Sequence, residues 1–100
     1  MILHRVVFQA KIGKADNVVA RMKALIEEIT EEQRAQLQPR ILTDISGSFD
    51  TVVLETVHES LATYEQFRTM ILQRNSEPVA GPPLSDLVDS GRNEYYTIEM

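Results

Sequence analysis

The first pattern in the chain is an alternation. In ILHRVVFQAK, β-branched and aromatic residues recur at every second position, which predicts a strand from Ile2 to Lys11. One face carries His4, Val6, Phe8 and Ala10, the other Leu3, Arg5, Val7 and Gln9. After a turn at Gly13 and Lys14 the spacing lengthens. Val18, Val19, Met22, Leu25, Ile26 and Ile29 fall three and four apart behind Asp16, a fitting N-cap, so a core-facing helix is expected. The polar run TEEQRAQ extends that helix into solvent until Pro39 ends it, leaving Arg40 to Ile45 as a second strand. SGSFD reads as a hairpin connection, and TVVLETVH, Thr51 to His58, as the third strand. Ser60 caps a second amphipathic helix, LATYEQFRTMILQR, with Leu61, Tyr64, Phe67 and Ile71 on one side. Pro78, Pro82 and Pro83 interrupt the chain. Pro83 suits the first turn of a short helix in LSDLVDS, closed by Gly91, and Asn93 to Met100 forms the last strand.

Strand, helix, strand, strand, helix, strand is the ferredoxin-like α+β order: one antiparallel four-stranded sheet with both helices on one face, in a single domain spanning residues 1–100. Strand parity sorts the residues. Val6, Phe8, Ala10, Ile41, Ile45, Val52, Leu54, Tyr96 and Ile98 make an apolar set that should meet the helices. The opposite set mixes Leu3, Val7, Leu42, Val53, Val57 and Tyr95 with Arg5, Gln9, Asp44, Glu55, Thr97 and Glu99. A face this apolar calls for cover, and the simplest cover is the same face of a second copy, closing two sheets into a barrel. Arg5 and Glu55, on neighbouring strands, either pair in that lumen or splay to its solvated rim.

Composition narrows the functional classes. With 43% hydrophobic and 25% charged residues, the 100-residue chain has the make-up of a globular domain with a thin core. No run reaches the roughly 18 apolar residues of a membrane helix, and the first residues lack the features of a signal peptide. A soluble, non-exported protein is expected. The absence of cysteine removes disulfides, thiolate nucleophiles and Cys-based metal sites, and suits a reducing cytoplasm. Net charge −5 with scattered basic residues argues against a nucleic-acid partner. There is no phosphate-binding glycine loop, and the two histidines lack a carboxylate at metal-ligand spacing, so no metal or cofactor is expected.

The remaining candidates are few. His4 and His58 share parity with the helix-facing set, where a neutral imidazole can accept a proton near pH 7, although such strand-end histidines more often bond to backbone or water. Tyr64 points its ring at the sheet and can orient a phenolic or carbonyl group, or serve as a core tyrosine with its hydroxyl at the surface. Phe8, Phe67 and Met22 are candidates for lining an apolar ligand space, or for filling it. Tyr95 and Tyr96 face opposite sides. The run of Glu27, Glu28, Glu31 and Glu32 is a solvated helix face.

In MILHRVVFQAKIGK, GSFDTVVLETVHESLATYEQF and LVDSGRNEYYTIE the chain resembles the dimeric α+β barrel superfamily, and within it the NIPSNAP-like and antibiotic-biosynthesis-monooxygenase-like branches. The resemblance runs the full length and lies in pattern and order. It implies a homodimer joined through the sheet faces and a small apolar or aromatic ligand between sheet and helices. Two kinds of function follow: cofactor-independent monooxygenation, with a histidine as proton acceptor and Tyr64 positioning the substrate, or a non-catalytic ligand-binding or stress-responsive role. Haem-degrading members use a strand Asn, a Trp and a helical His. Here there is no Trp, the first strand has no Asn, and neither histidine falls on a predicted helix.

Overall fold

The computed structural model describes residues 1–45, 49–74 and 83–100. The elements are β1 (Ile2–Ala10), α1 (Ala15–Glu28), α2 (Glu31–Leu37), β2 (Arg40–Thr43), β3 (Thr51–His58), α3 (Leu61–Arg74), a 3₁₀ turn (Leu84–Asp86) and β4 (Val88–Thr97). The strands form one antiparallel sheet in the order β2-β3-β1-β4, so the two longest pairings flank β1, as the ferredoxin-like arrangement requires. β1 and β3 form where their alternation predicts, but the expected apolar face of α3 holds only in part: Tyr64 is buried and Phe67 half-buried, Leu61 is exposed, and the side chain of Ile71 lies outside the described ones. Ser60 caps α3 as expected, its hydroxyl accepting from the Thr63 amide at 3.2 Å. The expected hairpin connection at 46–48 and the prolines at 78 and 82 lie outside the described residues.

Four local readings need correction. The helix after Gly13 does not run through to Pro39: it stops at Glu28, and Thr30 starts a new one. The Thr30 hydroxyl accepts from the Gln33 amide and the Gln33 side chain accepts from the Thr30 amide, both at 3.1 Å, a capping box that turns the chain. Thr30→Ala is therefore expected to lower the unfolding free energy by about 1 kcal/mol, read from the midpoint of denaturant unfolding, with the sheet unchanged. Asp16 is not an N-cap. Lys14 holds that position, and Asp16 lies in the first turn, where its charge suits the helix dipole. β2 ends at Thr43, so Ile45 is fully exposed and takes no part in the helix-facing set.

The fourth correction concerns the end of the chain. LSDLVDS forms only a 3₁₀ turn, and β4 starts at Val88, so Gly91 lies inside a strand rather than terminating a helix. It pairs with Phe8, and a Cβ there would sit 3.3 Å from Phe8 Cδ1, so glycine lets the ring lie across β4. Entering earlier, β4 carries a parity opposite to the expected one. Tyr95 pairs with His4 on the helix side, and Tyr96 pairs with Leu3 on the open side.

The core lies under α1, where Ala10, Val18, Met22, Val52 and Leu87 pack together against Phe8, Val19, Ile41 and Leu54. The open face of the sheet carries Val7 opposite Val53, with Leu42 beside them. Across it runs a chain of ion pairs: Arg5 lies 3.0 Å from Glu55 and 3.3 Å from Glu94 as a charge pair with each, Arg40 also holds Glu55, and Arg92 holds Glu94 at 3.0 Å. The Arg5–Glu55 pair is thus formed on the face itself. Hydrogen bonding from Arg92 draws the Glu94 carboxyl below its usual range, so this carboxylate stays charged at neutral pH.

Candidate functional site

Alternation along β1 and β3 puts His4 and His58 on the helix side, on adjacent strands, with His58 opposite Ile2 and His4 opposite Thr56. α3 lies over them, and Tyr64 is its one buried described side chain. Its ring is centred 4.5 Å from that of His4 and 5.2 Å from that of His58. Tyr95 reaches the same place from β4, stacked on His4 at 5.0 Å and edge-on to Tyr64 at 5.3 Å. Phe67 closes the far side, 5.6 Å from His58. The structure thus brings His4, His58, Tyr64 and Phe67 together, whereas Phe8 and Met22 lie in the apolar core beneath α1.

Polar contacts orient the rings. His4 Nε2 is 2.9 Å from Asn93 Oδ1, and since a carbonyl oxygen only accepts, this bond places the proton on Nε2 and leaves the lone pair on Nδ1. His58 Nε2 is 2.8 Å from the hydroxyl of buried Thr56, while its Nδ1 is buried without a hydrogen-bond partner among the described residues. The Tyr95 hydroxyl donates to the Tyr64 hydroxyl oxygen at 3.1 Å. Sequence reasoning missed Tyr95, Asn93 and Thr56. The first two follow from the reversed parity of β4, which its pairing with β1 sets and no local pattern signals.

Burial decides the protonation states. It lowers both imidazoles below their ordinary 6.5, outweighing the Asn93 bond that favours charge on His4, and at His58 the nearby His4 adds to the effect. Both rings are therefore neutral at pH 7. Burial, with the hydrogen bond from Tyr95, pushes the Tyr64 hydroxyl up to about 12, partly offset by Arg68, so it remains a neutral donor and acceptor. A cleft of about 350 Å³ bounded by Leu37, Val57, His58 and Thr63 opens beside the cluster, between α2 and the start of α3. Among the described residues no three His, Asp or Glu side chains are placed to hold a metal ion, and no helix is long and apolar enough to cross a membrane.

Fold and cluster together define a ferredoxin-like α+β protein in which His4, His58 and Tyr64 are buried together between the sheet and α3. The same fold is found in NIPSNAP-domain proteins and in an antibiotic-biosynthesis-monooxygenase-like protein, which agrees with the resemblance carried by the sequence. An uncharacterised NIPSNAP domain protein from Burkholderia xenovorans superposes with a TM-score of 0.73 at 13% identity, over 98% of this chain and 94% of its own. A NIPSNAP family protein of unknown function from Agrobacterium tumefaciens gives 0.63 at 18%, over 96% and 86%. A candidate antibiotic biosynthesis monooxygenase from Bacillus cereus gives 0.57 at 16%, over 99% and 93%. No protein-family model matches the sequence, and no curated protein does.

Proposed function

We propose that this protein binds a small, largely apolar aromatic molecule carrying a phenolic hydroxyl at the His4–His58–Tyr64–Tyr95 cluster, as a homodimer joined through its open sheet faces. The observation that carries the reading is the pair of buried, neutral imidazoles, one with a ring nitrogen that no described protein group engages. A phenol suits such a site: its ring matches the tyrosine and phenylalanine rings, and its hydroxyl donates to the imidazole lone pair. The cleft beside His58, walled on its apolar side by Leu37 and Val57, is the approach, and the Tyr64 and Phe67 rings lie against the imidazole at its inner end. Cytoplasmic residence suits a chain without cysteines.

A second reading, favoured by neutral imidazoles and the likeness to the Bacillus cereus protein, is oxygenation of the bound phenol without a cofactor. The imidazole takes the phenolic proton, and O2 adds to the ring carbon ortho or para to the phenolate oxygen, where the anion has carbanion character. The peroxide takes that proton back from the imidazolium and loses water with the ring hydrogen, leaving a quinone carbonyl. The non-catalytic alternative ends at binding.

A thermal-shift screen with quinols and hydroxylated naphthalenes tests the binding. At a hundredfold excess over Kd a ligand of the native state adds about 2.7 kcal/mol, a rise in Tm on the order of 10 °C for a chain of this size. His58→Ala and His4→Ala should lose most of that rise, and oxygen consumption on any hit separates the two readings. Screens in which no phenol moves Tm, or in which the histidine variants respond as the parent does, would overturn the assignment.

A further inference from the structure

α3 is held to the sheet differently from α1. The apolar core draws Val18 and Met22 from α1 and closes on Ala10, Val52 and Leu87, while α3 supplies Tyr64 as its buried described side chain, with Phe67 and Met70 half-buried and Leu61 exposed. Tyr64 rests directly on the two imidazoles, whose ring centres are 6.3 Å apart. The seat of this helix is thus a titratable pair. The seat of α1 is not.

We propose that α3 is an acid-released cover, detached from the sheet when His4 and His58 become protonated beneath Tyr64 while the sheet and α1 stay folded. The groups facing the pair supply no countercharge. β4 presents Asn93 and Tyr95, β3 presents Thr56, and α3 presents Tyr64 and Phe67, with the Arg68 guanidinium acting on Tyr64. Of the nearby carboxylates, Glu55 and Glu94 lie on the opposite face of the sheet and are taken up by Arg5, Arg40 and Arg92, and Glu59, next to His58, is exposed at the rim of the cleft, as is the amino-terminal Met1. Two imidazolium ions would therefore share a buried site with each other as nearest charges, and lifting α3 gives them water. The direction follows from linkage. Groups whose folded-state pKa lies below 6.5 stabilise the seated helix fully above that value, and the stabilisation is lost as pH falls through the lower folded-state values. Local opening of one element ahead of the rest is the ordinary form of such a loss.

Backbone amide hydrogen exchange on the unliganded protein, corrected for intrinsic exchange and followed from about pH 7.5 down to about pH 5, tests this. Amides of residues 61–74 should lose at least about tenfold in protection, the equivalent of one proton taken up across one pKa unit, while β1, β3 and α1 change by less than about twofold. The double variant His4→Gln/His58→Gln, which keeps polar side chains but cannot charge, should flatten the response of α3. If the double variant does not fold, the parent's comparison of α3 with α1 decides alone. Protection of α3 that is constant across this range, a loss shared equally by every element, or an unchanged response in a folded double variant would each overturn the proposal. None of these measurements uses a ligand, so their outcome is independent of the binding assignment.

Discussion

Val53→Glu is expected to remove the proposed dimer, and in the stronger case to unfold the chain. Val53 lies opposite Val7 in the centre of the open face, next to Leu42 on β2, and both valines are already buried in the single chain. A carboxylate there has Glu55 two residues along on the same face, so like charge adds to desolvation. An unpaired buried charge costs several kcal/mol, a large share of the stability of any small domain. Sedimentation of the parent should give twice 11.4 kDa at micromolar concentration, and Val53→Glu should give the monomer or an unfolded chain. Ile45→Glu, at a fully exposed position off the sheet, should leave the assembly intact. A parent that stays at 11.4 kDa would sink the barrel.

Tyr64→Ala carries the other large effect. Truncating a buried aromatic side chain costs about 3 to 5 kcal/mol, from lost burial and the cavity left behind. Here the cavity would open above His4 and His58, where the Tyr64 ring is in contact with both. Tyr64→Phe keeps the ring and removes only the acceptor for Tyr95, so it should cost about 0.5 to 1.5 kcal/mol. Denaturant unfolding of the two variants separates ring from hydroxyl. Equal losses would show that the hydroxyl pair, rather than packing, holds α3.

The fold was legible because its strongest signals are local. Alternation in β1 and β3, the three-and-four spacing of Val18, Met22 and Ile29, and the Ser60 cap each depend on residues within a few positions of one another. Where the sequence misled, two local signals competed. Thr30 and Gln33 spell a capping box, yet they sit in a polar run that equally continues a helix, and only the exit direction of Ile29, buried at the end of α1, separates the two. In β4 the apolar residues Tyr96 and Ile98 suggested an inward face. Pairing across β1 set the parity instead, because Gly91 must lie where the Phe8 ring crosses the strand.

The sequence by itself determined the order of the four strands and of the long helices α1 and α3, the helix-side parity of His4 and His58, and the inward direction of Tyr64, since each follows from the repeat of one helix or strand. It also determined what chemistry is missing, because thiolates and glycine-rich phosphate loops require residues that are not there. Tertiary structure alone decided the site's membership and electrostatics. Asn93 reaches His4 from 89 residues away, Tyr95 joins Tyr64 across the sheet, and Phe8 and Met22 go to the core under α1. The physical reason is that strand register is settled by pairing and packing between distant segments, and a shift of one residue sends every side chain of a strand to the opposite face. Burial, which holds both imidazoles neutral, likewise exists only once α3 lies over the sheet.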